Sequence, residues 1–194
     1  MPRSADLNSA LRAATRDRLL RSALVLFARD GYAGTSVRAI AQQAGVATGL
    51  LYSHFSGKEA LLRALFELSM ADVNASFADA LSERNPHDRL RALVQGGVDT
   101  VRRHLEFWQL SYAARSQPAV LAALGPSLGE WTASILAVLR GILVEAGSDA
   151  PETDAHALFA QIDGMCQHLA MDPAGYPADA VAHRIVARWA RPIS

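Results

Sequence analysis

The sequence predicts an all-α protein built in two parts. Alanine, leucine and arginine dominate where strand formers are sparse, and apolar residues recur at three- and four-residue steps along most of the chain. Near the N-terminus, 35–58 reads TSVRAIAQQAGVATGLLYSHFSGK. Ile40, Ala41 and Ala44 make one apolar face, and Val46, Leu51 and Phe55 the matching face after a turn. Ala41 is small where two helices must cross. Gly45, four residues on, stands where the chain needs positive φ to leave one helix and enter the next. Small residue, four-residue step and glycine together predict a helix-turn-helix.

Residues 1–14 have weak periodicity and read as a frayed arm, with Arg3 a candidate phosphate contact. Leu20, Ala23, Leu24 and Phe27 predict a helix over 15–30, ended by Gly31. After the turn SGK, Glu59 begins a long helix with Leu62, Leu65, Phe66, Met70, Val73 and Phe77 on one stripe. Asn85, Pro86 and His87 interrupt it, and Asp88 is the expected cap of a helix through Leu90, Val94, Val98, Val101 and Leu105. Gly96 and Gly97 inside that helix predict close packing or a bend beside a cavity. An aromatic segment follows. Pro118 then opens a short helical turn, and Pro126 opens a separate helix bearing Trp131, Ile135, Leu136, Leu139 and Leu143. The last two helices are expected at 152–171 and 178–189, divided by DPAGYP.

With 51% apolar and 20% charged residues the chain has the make-up of a globular protein. Zero net charge conceals a division. Residues 1–58 hold eight Arg or Lys against three Asp, so the remainder is acidic to the same extent. A basic module ahead of an acidic body suits a nucleic-acid reader joined to a separate sensor. The boundary is drawn as 1–58 for a three-helix helix-turn-helix DNA-binding domain and 59–194 for a helical effector-binding and dimerisation domain.

Residues 15–62 resemble the DNA-binding domain of the tetracycline-repressor family of bacterial transcription regulators. The resemblance rests on TRDRLLRSALVLFARDGY, TSVRAIAQQAGV and TGLLYSHFSGKEALL, with Phe27, Gly31, Tyr32, Thr35, Ile40, Ala41, Gly45, Val46, Gly49, Leu51, Tyr52, His54, Phe55 and Lys58 at matching spacings. Ala47, Thr48 and Leu50 depart from residues common in the family, which bears on the operator and leaves the fold untouched. FAQIDGMCQHLAMDP resembles the penultimate helix of a branch in which an I-D-G element is common, the last two helices pair with a second subunit, and choline-sensing regulators occur.

The resemblance implies a homodimeric, ligand-responsive regulator of double-stranded operator DNA, most often a repressor, working in the cytoplasm. The alternative is a helical ligand-binding or interaction protein that keeps the fold without specific DNA binding. Thr48, Gly49, Tyr52 and Ser53 are expected to face the major groove, with Tyr52 packing on a thymine methyl and Gly49 letting backbone approach bases. Arg38 can reach a guanine edge or a phosphate, while Thr35, Ser36, His54 and Lys58 are expected on phosphates, Thr35 doubling as a helix cap. Phe107, Trp108, Tyr112 and Trp131, with Phe66, Met70 and Ile135 and the polar His104 and Ser111, predict an apolar effector pocket with a few polar anchors. Tryptophan and tyrosine faces also suit a quaternary ammonium compound. Leu158, Ile162, Met165, Leu169, Val181, Ile185 and Trp189 are expected in the dimer interface.

Enzyme motifs are absent: there is no G-x-S-x-G, H-E-x-x-H, phosphate-cradling glycine loop or Cys-x-x-Cys. Neither cofactor nor metal site is expected, the six histidines being dispersed. The lone Cys166 cannot form an internal disulfide, and a packed, inert thiol is expected. No signal peptide is discernible and no apolar run approaches the roughly 20 residues of a bilayer span, so no membrane partner is expected.

Overall fold

The structure is a computed structural model that describes residues 4–189. Among them the secondary structure is helical throughout: α1 Ser4–Asp30, α2 Val37–Gln43, α3 Thr48–Tyr52, α4 Lys58–Leu81, α5 Pro86–Arg103, α6 Leu105–Arg115, α7 Pro118–Glu145, α8 Pro151–Met171 and α9 Ala178–Trp189. The chain forms two compact units. The first takes the described residues to Leu68 together with Leu110–Leu124; the second takes Ser69–Gln109 and the chain from Gly125. The units therefore do not divide at the expected cut after residue 58. The first turns of α4 bury Leu61, Leu62, Ala64 and Leu65, and a later segment of chain returns to the first unit.

In the first unit, α1 buries Leu19, Leu20, Ala23, Leu24, Leu26 and Phe27; α2 buries Ile40 and Ala41; Leu51 and Phe55 lie at and just beyond α3. The helix-turn-helix closes as its sequence requires. Gly45 has φ +66°, the Val46 N–H donates to the Ala41 carbonyl at 3.0 Å, and the Gly45 N–H donates to the Gln42 carbonyl at 3.1 Å. That pair of bonds is a Schellman motif, which satisfies two end carbonyls of α2 while reversing the chain. Gly31 (φ +82°) ends α1 in the same left-handed region. There Gln117 of the returning segment brackets the turn. Its Nε2 donates to the Phe27 carbonyl at 2.6 Å, and its Oε1 accepts from the Tyr32 N–H at 2.7 Å.

Several expected boundaries shift. Residues from Ser4 belong to α1, although 6–14 are exposed along it, so the arm is helical there; Arg3 lies outside the described residues. Asn85, not Asp88, caps α5 by accepting from the His87 N–H at 2.8 Å, because the cap must precede Pro86 at the first turn. His104 (φ −127°, ψ 42°) interrupts the helix expected to run through Leu105. The helix expected to start at Pro126 instead begins at Pro118 and runs on for 28 residues. Pro126 is exposed, where water can satisfy the carbonyl that its missing N–H would have bonded. α7 is also long and apolar enough to cross a membrane by length and composition, contrary to the sequence reading, though its exposed positions include Ser127, Glu130, Ser134 and Arg140.

The second unit is organised around α5, α8 and α9, which pack pairwise. Leu90, Leu93, Val94, Val98 and Val101 of α5 are buried, as are Leu158, Met165 and Leu169 of α8 and Ala182 and Ile185 of α9. The glycines of α5 are there for close approach. A Cβ on Gly97 would stand 3.1 Å from Cys166 Sγ and 3.4 Å from Ile162 Cγ2, and one on Gly96 would run into the Ser76 hydroxyl. Arg102 ties α5 to the first turn of α9 through two 2.8 Å bonds to the Asp179 carboxylate.

The Gln117 bracket can be tested directly. Gln117→Ala should lower the unfolding free energy by about 1–3 kcal/mol, as a part-buried carbonyl and N–H lose their partner. Urea denaturation reads this as a lower midpoint at constant slope; an unchanged midpoint would mean that the bracket contributes nothing.

Candidate nucleic-acid interface and effector region

α3 is only five residues long and is preceded by Ala47, whose side chain cannot cap it. A helix this short is held by its surroundings rather than by propensity. Leu51 is fully buried on its inner side, while Gly49, Leu50 (44% exposed) and Tyr52 (55% exposed) face outward. Thr48 is half-buried at its first turn. Ser53 is exposed, but its hydroxyl donates back to the Leu50 carbonyl at 2.7 Å. Arg38 is exposed on α2, beside Ser36, whose hydroxyl caps α2 by accepting from the Ala39 N–H at 3.1 Å.

Two residues expected on phosphates are engaged inside the protein instead. Thr35 is 4% exposed; its hydroxyl donates to the Gly31 carbonyl at 2.7 Å, with the Leu26 carbonyl at 3.2 Å. It locks the loop between α1 and α2, and Ser36 is the cap in its place. The Lys58 ammonium donates to the carbonyls of Tyr32, Ala33 and Thr35 at 2.9, 3.1 and 3.2 Å, and lies 4.7 Å from the centre of the Tyr32 ring. All three of its protons have acceptors in that loop.

Sequence reasoning missed what α1 contributes. The Arg12 guanidinium reaches the Ser53 carbonyl at 3.4 Å, and Arg16 lies over the Phe55 ring at 5.3 Å. Half-buried His54 is beside them. Burial first, then the charges of Arg12 and Arg16, hold its imidazole below its ordinary pKa, so it is neutral at neutral pH. The signal available in sequence was the four-residue spacing of two arginines on α1; the face they occupy depends on how α1 packs.

The expected effector residues fall in both units and are described within each. In the first, Phe66 is half-buried, Ser111 is buried, and Tyr112 is half-buried beneath Arg115, 4.7 Å from its ring. In the second, Met70, Trp108 and Ile135 are buried, and Phe107 packs edge-on against Trp108 at 5.8 Å. Trp131 is half-buried, donates to Asn74 Oδ1 at 3.3 Å and meets Phe159 edge-on at 6.3 Å. His104 is exposed at the break between α5 and α6. A groove of about 480 Å³ lies elsewhere in this unit, lined by Gln161, Ala180, Val181, Arg184, Ile185 and Arg188.

Four of the residues expected in a dimer interface, Leu158, Met165, Leu169 and Ile185, are buried within their own chain. Their apolar surface serves the α5, α8, α9 core. Ile162, Val181 and Trp189 are half-buried, the Trp189 indole donating to Gln161 Oε1 at 2.7 Å. Burial pushes the Cys166 thiol up to about 12, with Asp163 adding to the shift, so it stays protonated and unreactive. Among the described residues no three of His, Cys, Asp and Glu are grouped to hold a metal ion.

Residues 19–65 match the family model for bacterial regulatory proteins of the tetR family, and residues 82–192 match that for the tetracyclin repressor-like C-terminal domain. The chain belongs to the tetR family. A curated relative within it is the HTH-type transcriptional repressor KstR2 of Mycobacterium tuberculosis, 34% identical over 90 residues, 46% of this chain and 45% of that protein. The chain thus matches about half the length of that relative. HTH-type transcriptional regulator BetI 2 of Chromohalobacter salexigens is 24% identical across 84% of this chain and 81% of its own. Among solved structures, a TetR-like transcriptional regulator from Rhodococcus sp. RHA1 superposes with a TM-score of 0.76 at 21% identity, covering 96% of this chain and 94% of its own. FadR of Bacillus subtilis in complex with stearoyl-CoA gives 0.71 at 21% identity, covering 91% and 98%. Both structures share the fold seen here.

Lys58 now carries a structural expectation. Lys58→Met should lower stability in the absence of DNA by about 1–3 kcal/mol, through loss of charge-assisted bonds to the loop carbonyls. Thermal melting of the free protein checks it, and an unaltered melting temperature would return Lys58 to the role of a phosphate contact alone.

Proposed function

We propose that the chain is a dimeric, ligand-responsive repressor that reads double-stranded operator DNA with α3 in the major groove. The observation that carries this reading is the outward row of Gly49, Leu50 and Tyr52 on a recognition helix fixed by the Gly45 turn, next to exposed Arg38. Gly49 permits close backbone approach, Tyr52 can cover a thymine methyl, and Arg38 can take a guanine edge. Exposed Leu50 adds a second apolar contact. The repressor KstR2, matched over 46% of this chain, supports repression as the mode of action. Such a protein works in the cytoplasm, where the DNA is.

The effector region is assigned to residues of the second unit, Met70, Phe107, Trp108, Trp131 and Ile135. Buried Met70, Trp108 and Ile135 favour an effector with an apolar part, and the stearoyl chain of the stearoyl-CoA bound to the FadR of Bacillus subtilis is such a part in a protein of this fold. A quaternary ammonium compound is the second choice, since the Trp108 ring is buried edge-on against Phe107 and leaves fewer open aromatic faces for a cation. To move the population from 1:99 to 99:1 an effector must prefer the released state by about 5.5 kcal/mol. The change would pass along α4 and through the segment Leu110–Leu124, whose Gln117 holds the end of α1.

For the dimer, the outer faces of α8 and α9 replace the buried one. Val181, Ala180 and Arg184 line the groove beside Gln161, and Ala160, Gln167 and Met171 are exposed along α8.

Two measurements test the reading. Tyr52→Ala should reduce discrimination between operator and random duplex by about 1–3 kcal/mol in a gel-shift titration, leaving random-duplex affinity nearly unchanged. Equal discrimination by mutant and wild type would remove α3 from the groove. Val181→Asp should give a folded monomer by light scattering, whereas Ile185→Asp should lose stability by several kcal/mol, about 3 or more, because the charge enters the subunit core. A dimer unaffected by Val181→Asp would place the interface elsewhere.

A further inference from the structure

We propose that Arg12 and Arg16 of α1, with His54 beyond α3, form one clamp for a DNA backbone phosphate, so that the first helix as well as the helix-turn-helix grips the duplex. This inference rests on the DNA-reading function proposed above.

Three observations converge on it. The two arginines lie one helical turn apart, and both point at the segment that leaves α3: Arg12 to the Ser53 carbonyl at 3.4 Å, Arg16 to the face of Phe55 at 5.3 Å. Neither has a carboxylate partner among the described residues, while Arg29, Arg63, Arg89, Arg91, Arg102 and Arg140 are each paired with one. The contacts the two do make, a long bond to a neutral carbonyl and a ring face, leave most guanidinium donors available. His54 is held neutral by burial and by both guanidinium charges, and the site gathers positive potential with no carboxylate paired to either arginine among the described residues. Lys58, the next cation along the chain, is taken up by three loop carbonyls and does not compete for the ligand. A phosphate monoanion placed at this point would receive guanidinium donors in the forked geometry it favours and a proton-bearing imidazole nitrogen.

The direction of proton linkage follows from the charges. In the free protein Arg12 and Arg16 disfavour the imidazolium; a phosphate beside His54 cancels that repulsion and bonds the protonated ring, which raises its pKa in the complex. Binding therefore takes up a proton. The extra affinity is present at low pH and is lost as pH rises through the raised pKa of the complex, with a limit of about tenfold per pH unit for one proton.

The probe is a duplex selected by the wild-type chain from a random-sequence library. Filter binding over a salt series should give R12Q and R16Q each a log-log slope shallower by up to about 0.9 and weaker affinity for selected and random duplexes alike. Arg63→Gln, whose arginine is paired with Glu59, should keep the wild-type slope. R12K should recover most of the slope, which a merely structural loss would not allow. Wild-type affinity should rise severalfold from about pH 8 to about pH 6, and H54Q should lose that rise. Wild-type slopes in both arginine variants, or an identical pH profile in H54Q and wild type, overturn the clamp while leaving the DNA-reading function standing. Failure to enrich any duplex overturns both.

Discussion

The ammonium of Lys58 gathers three backbone carbonyls of the loop between α1 and α2, and the rest of the reading unit depends on that loop keeping its shape. Carbonyls at 32, 33 and 35 point the same way only in a bent backbone, and a single cation is what makes their parallel dipoles tolerable. Thr35 closes the same loop from inside through the Gly31 and Leu26 carbonyls, and Gln117 clamps its start at Phe27 and Tyr32. Because Ser36 caps α2 immediately after this loop, the loop sets where α2 begins, and the Schellman turn at Gly45 then sets where α3 begins. The position of Tyr52 is the last term of that series.

Gln117 gives the series a second meaning. It belongs to Leu110–Leu124, which groups with the reading unit although the chain on both sides of it groups with the other. The crossings fall within the ranges of α4, α6 and α7. The domain boundary drawn at residue 58 hid this, since a boundary in sequence cannot express a segment that returns.

What was legible in the sequence was whatever is encoded by neighbours. Gly31 and Gly45 were found because positive φ is a local demand, and 152–171 and 178–189 nearly coincide with α8 and α9 because Pro151 and DPAGYP punctuate them. What was not legible is decided at long range. Lys58 and Thr35 have the composition of phosphate ligands, and only the folded loop shows their donors already taken. The stripe Leu158, Met165, Leu169 and Ile185 is apolar whether it covers α5 or a second subunit; burial assigns it to the first. Pro126 misled because a proline in an exposed turn of α7 removes a bond that water can replace, whereas the same residue facing a core would have ended the helix.

The uncapped α3 connects stability to recognition. With five residues and Ala47 preceding it, it has neither the length nor the side-chain cap to persist outside this packing. Leu51 and Phe55 anchor it on one side, and Gly49, Leu50 and Tyr52 are left open on the other. On the proposal that α3 enters the groove, loosening the loop at Lys58 or Gln117 weakens DNA binding by displacing the whole helix, without altering any side chain of α3. A binding defect at those positions and one at Tyr52 have different physical origins. The first falls on every duplex and appears in the melting of the free protein; the second leaves the free protein intact and falls on the preferred sequence alone.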